Sequence, residues 1–203
     1  MFKIAVLVSG NGTNLQAIID HYLNNPDIKI SLVISNKADA YALKRASLAN
    51  IPTMVISKKD FPNQSDEILK QVKANNIDLI VLAGYLSILS GSIINEYKNK
   101  IINIHPSLIP AFCGPGMYGH HVHEAVIKSG VRYSGCTVHF VNGGVDSGPI
   151  ILQQAVDVFY TDTPDSVAAK ILVYEHKLLV KAIDLIANNK VIVHDDNRVE
   201  IKK

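Results

Sequence analysis

Cysteine is scarce: Cys113 and Cys136 are the only two in 203 residues. Two are too few for a disulfide scaffold, and a pair of free thiols in a reducing cytosol is the simpler reading, with a lone bridge as the other. An excess of either charge is also missing, since 20 Lys and Arg face 18 Asp and Glu for a formal net charge of +2. That balance excludes a polyanion binder working through bulk charge, and so a nucleic-acid partner, but leaves room for a local phosphate site. Long apolar runs are absent as well. The N-terminal run before Ser9-Gly10 spans about seven residues, too short for a signal peptide or for a membrane span of roughly 20. Internal repeats, low-complexity tracts and linkers do not occur. The chain does have 48% hydrophobic residues, which excludes disorder and can fill a substantial core. These features predict one soluble, cytoplasmic domain over residues 1–203, with halves of about 1–100 and 101–188 and a terminal hairpin at about 190–203.

Apolar runs at Ile4–Val8, Ile30–Ile34, Thr53–Ile56, Ile77–Ala83 and Ile101–Ile104 read as strands. Continuous runs fit strands covered on both faces, as in a parallel sheet. Helical spacing between them appears at Leu15, Ile18, Ile19 and Tyr22, over Ala38–Ala49, and over Ser65–Asn75. The alternation predicts an α/β fold with a doubly wound, mostly parallel, Rossmann-like sheet. Thr137–Val141 and Pro149–Val158 follow each other with only turn residues between them, so they predict an antiparallel addition. A long helix is expected over Pro164–Ala187, with Thr163 as N-cap, Pro164 at its first position and Asp165 in its first turn. Val191–His194 and Arg198–Ile201 predict a hairpin around Asp196-Asn197.

Ser9-Gly10-Asn11-Gly12-Thr13-Asn14 lies between the first strand and the first helix. Glycines let the chain turn tightly, and a helix start offers free N–H groups at a positive dipole end, which together suit a phosphate. A dinucleotide site would need a third glycine and an acid after the second strand, where this chain has Ser35-Asn36-Lys37. A phosphate site without a nicotinamide cofactor is the sharper reading, and an ordinary tight turn is the plain one.

The fifth strand runs into Asn103-Ile104-His105-Pro106-Ser107-Leu108-Ile109-Pro110. Alternation puts Asn103 and His105 on one side, at the strand end where open α/β sheets hold their ligands. Pro106 and Pro110 stiffen the exit. An amide beside an imidazole can polarise a carbonyl and pass a proton. Asp146, in the turn Gly143–Pro149, could return a carboxylate over that edge or be a solvated turn residue.

Ser9–Asn14, Ile80–Gly84, Asn103–Leu108 and Val145–Gln153, in that order, resemble the phosphoribosylglycinamide formyltransferase family along essentially the whole chain. The resemblance implies formyl transfer from 10-formyltetrahydrofolate, as co-substrate and without a metal, to the amine of 5-phosphoribosylglycinamide in purine synthesis. It implies small-molecule partners, with a homodimer as a possible assembly. By resemblance Gly12, Thr13 and Asn14 hold the ribose phosphate, while Asn103, His105 and Asp146 carry the chemistry. The oxyanion would be met by Asn103 and a protonated His105, and Asp146 would support the histidinium. Glu175 matches the acid that contacts the glycinamide. Leu86, Ser87, Ile88 and Leu89, with Asn103, Val141 and the loop to Asp146, would line the pterin pocket. Two departures bear on the folate tail: Ser87 stands where the family carries a basic residue, and Phe61–Ser65 lacks an arginine.

His120, His123 and Glu124 have helical spacing, but no further ligand completes a metal set, so they read as a surface helix start. Cys113 has no base at a recognisable spacing and reads as a small loop residue. His139 reads equally as a site-lining or a core histidine. Lys58, Lys59, Lys202 and Lys203 read as solvated charges. Other formyl-folate enzymes remain as alternatives. A tRNA formyltransferase would carry a further domain, whereas 16 residues follow Ala187, and a formyl-folate hydrolase would carry a domain in front. A non-catalytic phosphate sensor would need no Asn103/His105 pair.

Overall fold

Ile4-Ala5-Val6-Leu7-Val8 is fully buried, as a strand covered on both faces requires. It forms the middle of β1 (Phe2–Val8). The computed structural model describes residues 1–202, which divide into two compact units, Met1–Asn103 and Ile104 onward. In the first unit β1 is followed by α1 (Thr13–Tyr22), β2 (Ile28–Ser35), α2 (Tyr41–Leu48), β3 (Thr53–Val55), α3 (Gln64–Ala74), β4 (Leu79–Leu82), α4 (Ser92–Glu96) and the start of β5 (Ile101–His105). All pairings there are parallel. β1 lies between β2 and β4, β3 pairs with β2, and β4 pairs with β5 through Ile80–Ile101 and Leu82–Asn103. Ser31 is the extra residue of a bulge, because Ile4 pairs with Ile30 and Ala5 with Leu32.

The second unit continues with α5 (His120–Ser129), β6 (Tyr133–Phe140), β7 (Ile150–Asp157), α6 (Pro164–Ala187), β8 (Val191–Val193) and β9 (Val199–Ile201). β6 and β7 are antiparallel, with Thr137 opposite Gln153, as the turn-only connection predicts. α6 begins at a capping box in which Thr163 Oγ1 accepts the Ser166 N–H and Ser166 Oγ accepts the Thr163 N–H. Its inner face buries Val167, Ile171, Leu178, Leu179, Ala182 and Ile183, and also Glu175. β8 and β9 form the expected terminal hairpin. Hydrogen bonding orders the main strands β3-β2-β1-β4-β5-β6-β7 in one mostly parallel sheet.

Several element bounds differ from the sequence reading, most of all β6, which begins at Tyr133 rather than Thr137. α2 begins at Tyr41 rather than Ala38, because Ala38 and Asp39 belong to the turn before the Ala40 N-cap. α4 was not expected, since five residues show too little of a helical period to be read. No helix among the described residues is long and apolar enough to cross a membrane.

Candidate active site

In the first unit the chain leaves β1 through Ser9, whose buried hydroxyl accepts the Leu86 N–H at 2.8 Å. Gly10 O accepts the Ala42 N–H at 3.1 Å, which ties the turn to the first residues of α2. Gly12 then adopts a left-handed conformation, φ 76° and ψ 36°, as the N-cap of α1. Only glycine serves there, because a Cβ would come within 2.5 Å of Ala42 Cβ in a region that L side chains disfavour. No side chain caps α1 and no acid occupies its first turn, so the positive dipole end of the helix carries no counter-charge of its own and suits an anion. Thr13 and Asn14 follow in that first turn, as expected.

The 84–89 segment divides its residues. Leu86 is 52% and Ile88 72% exposed, leaving two apolar side chains unspent on the core, whereas Leu89 is buried. Ser87 Oγ accepts from Asn36 Nδ2 at 2.8 Å, so Ser87 ties the segment to the end of β2. Tyr85 is buried, and burial raises its phenol above the ordinary range against the opposing effect of Ser87. The stretch without arginine is used locally: Asn63 Oδ1 caps α3 through the Asp66 N–H, and Gln64 Nε2 donates to Ile56 O at 2.6 Å.

In the second unit His105 ends β5, two positions after Asn103 and therefore on the same face of the strand. Its ring is buried. Nε2 lies 2.9 Å from Phe112 O, and because a carbonyl only accepts, Nε2 carries the proton in that contact. Nδ1 faces Asp146 Oδ2 at 3.6 Å. His139, on β6, repeats the arrangement. Its Nδ1 donates to Phe140 O at 2.8 Å, and its Nε2 faces Asp146 Oδ1 at 3.7 Å. Gly114 N–H donates to Asp146 Oδ2 at 3.0 Å. One carboxylate thus stands between two imidazoles whose other nitrogens are both spent on main-chain carbonyls.

The charge state follows from this geometry. Burial pushes His105 below the ordinary histidine range, outweighing the Phe112 carbonyl and the Asp146 carboxylate, which pull the other way. Burial also opposes ionisation of Asp146, but His139, the Gly114 N–H and His105 outweigh it and hold the carboxyl below its usual value. Both shifts favour the carboxylate on Asp146 and the neutral imidazole on His105. A proton arriving on either ring lands against a negative charge.

Glu175 is buried on α6, and its charge adds to burial in pushing the Cys136 thiol up to about 12. Cys113 is raised by burial and by Asp146. Neither thiol is activated as a nucleophile. His120 and Glu124 lie on the exposed side of α5 as read, whereas His123 is buried; His120 pairs with Glu124 and Asp165, both at 3.6 Å, and His121 with Glu124 at 3.4 Å. Among the described residues no group of three or more His, Cys, Asp or Glu could hold a metal ion. Val141 is half-buried at the exit of β6. Sequence reasoning missed the Phe112 carbonyl and the Gly114 N–H, which leave no mark in a sequence. It left His139 undecided, although its alternation on β6 was available.

Residues 2–183 match the profile of the family described as formyl transferase. A Haemophilus influenzae phosphoribosylglycinamide formyltransferase is 42% identical over 201 residues, which is 97% of this chain and 92% of the relative. The trifunctional purine biosynthetic protein adenosine-3 of Drosophila melanogaster is 40% identical over 94% of this chain, which spans 14% of that larger protein. The crystal structure of glycinamide ribonucleotide transformylase 1 from Symbiobacterium toebii superposes with a TM-score of 0.93 at 39% identity, covering 100% of this chain and 95% of the other.

Proposed function

The chain belongs to the formyl transferase family, and on that premise we propose that it moves the formyl group of 10-formyltetrahydrofolate to the amine of 5-phosphoribosylglycinamide, a step of purine synthesis. The observation that carries this reading is the Asp146 carboxylate placed between His105 and His139 at 3.6 and 3.7 Å. The relatives named phosphoribosylglycinamide formyltransferase support the choice of acceptor. In this reading the first unit binds the ribose phosphate at the positive dipole end of α1, around Gly12, Thr13 and Asn14. The second unit supplies the proton chemistry. Glu175 holds the glycinamide end through its carboxylate.

The folate co-substrate supplies a formyl carbon already activated for transfer, and the exposed Leu86 and Ile88 side chains suit its flat pterin. As the amine adds to that carbon, negative charge grows on the formyl oxygen, and the Asn103 amide donates to it. The added amine must lose a proton. Neutral His105 takes it at Nδ1, the nitrogen left open by the Phe112 contact, and the imidazolium so formed is stabilised by Asp146; as the adduct collapses, the bond from the formyl carbon to the folate nitrogen breaks, the same proton passes to that nitrogen, and tetrahydrofolate leaves. His139 helps to keep Asp146 ionised for that moment. The reading needs no metal, and it places the reaction among small molecules in the cytoplasm.

The test is an assay with both purified substrates. Formyl transfer to phosphoribosylglycinamide supports the proposal. Formate release without the ribonucleotide points to a hydrolase instead, and binding of both molecules with no turnover points to a sensor.

A further inference from the structure

We propose that Arg45, on α2, is a positioning residue for phosphate recognition, holding the loop before α1 through Asn11. The inference rests on the phosphate-binding part of the proposed function and extends it to a residue outside the loop.

Arg45 lies near the C-terminal end of α2, where a cation needs no special explanation. Its hydrogen bonds go elsewhere. Nε donates to Asn11 O at 2.9 Å, Nη2 to Asn11 Oδ1 at 3.0 Å, and Nη1 to Gln16 Oε1 at 3.1 Å. Two donors along one edge of the guanidinium therefore grip both the main chain and the side chain of a single residue, and a third donor reaches the first turns of α1. Gln16 is itself held, because its Nε2 donates to Asp20 Oδ1 at 2.8 Å. The guanidinium also sits 4.9 Å from the centre of the Tyr41 ring, which restricts its stem. Neighbouring Lys44 makes a longer approach to that ring, at 5.7 Å.

The grip falls where the loop needs it. Asn11 is exposed and immediately precedes Gly12, whose left-handed conformation starts α1 and sets the direction of its first turn. An exposed loop residue ahead of a glycine is free to move unless something outside the loop holds it. The Gly10–Ala42 hydrogen bond holds one side of the turn, and Arg45 holds the other. Both anchors come from α2, so the phosphate loop takes its shape from a helix that supplies none of its N–H groups. A lysine would reach Asn11 with one point donor but could not fork across both oxygens.

The experiment compares wild type, Arg45→Met and Arg45→Lys. Arg45→Met keeps the apolar stem and its packing while removing all three donors. Its KM for phosphoribosylglycinamide should rise about tenfold, with kcat and the folate KM within about twofold. Binding of ribose 5-phosphate, measured by calorimetry, should weaken by the same factor, and Arg45→Lys should fall between the two. A riboside acceptor lacking the phosphate should react equally with wild type and Arg45→Met, which a general packing defect would not allow. Wild-type binding of ribose 5-phosphate with undiminished binding in Arg45→Met overturns the role of Arg45 alone. Equal losses with and without the phosphate overturn it as well. Failure of the wild-type protein to bind ribose 5-phosphate removes the phosphate-loop reading and the role of Arg45 with it.

Discussion

At the end of β1 the groups offered to a ligand are main-chain N–H groups in a glycine turn, neutral and without a proton to give. At the end of β5, on β6 and in the loop that follows it they are two imidazoles and a carboxylate, side chains suited to acid–base chemistry. The first arrangement depends on backbone shape, so its critical residues are those that permit or fix a conformation, Gly12 and Ala42. The second depends on environment, so its critical features are burial and the partners of each ring. A difference of this kind separates affinity from chemistry. Changes in the turn after β1 should move KM, and changes in the cluster should move kcat and its pH profile.

His105→Ala is the strongest test of that division. It should lower kcat by about 10² or more with little change in the KM for the ribonucleotide, as loss of a positioned proton acceptor does. Near-normal turnover would remove His105 from the mechanism. Asp146→Asn comes next, with a kcat loss of about tenfold to 10². His105 must be neutral to act, so activity should fall as pH drops through its lowered value. Asp146 pulls that value up, so its neutralisation should move the acid limb of kcat/KM to lower pH. A limb that stays in place would mean that the two groups are not coupled.

The pH dependence of stability has the same sign. A histidine whose folded value is depressed contributes stability that is complete above its unfolded value of about 6.5 and is lost as pH falls through the folded value. Thermal melting between pH 7.5 and 5, a range chosen to span about one unit on either side of that value, should therefore show a smaller loss for His105→Ala than for the wild type.

Gly12→Ala probes the other region. The added Cβ meets Ala42 in a left-handed conformation, so the loop must shift. We expect the ribonucleotide KM to rise about tenfold and stability to fall by about 1–3 kcal/mol, with the acid limb unmoved. A shifted limb would blur the division between the two regions. The smallest expected effect is at Ser87. Ser87→Ala removes the acceptor of the Asn36 amide and should cost about 0.5–1.5 kcal/mol in melting, with the folate KM changed by less than about threefold.

Much of the fold could be read from the chain because period and punctuation agree. Ile4–Val8 followed by Gly10-Asn11-Gly12 leaves little choice but strand, turn and helix, and Thr163-Pro164 marks the start of α6. Short elements escaped for want of period, α4 among them. At the site, Asn103 and His105 were legible from alternation at a strand end. The approach of Asp146 to His105 was not, because it depends on how the 141–149 loop closes, including a left-handed Asp146 at φ 50°. The direction in which the site shifts His105 is hidden from the sequence for a related reason. The sequence displays the carboxylate that raises its affinity for a proton but not the burial that lowers it further. Arg45 escaped because its partners lie 29 and 34 positions away.

The carbonyls of Phe112 and Phe140 are fixtures of the polypeptide that no substitution can delete. The location of the mobile proton on each ring is therefore written in a part of the molecule that mutation does not edit directly. Side chains at 112 and 140 can drift in size and polarity while the tautomers stay the same, provided the chain keeps its path. Inheritance of the reaction then depends on preserving a trace through space, with the lettering at those two positions left open to change.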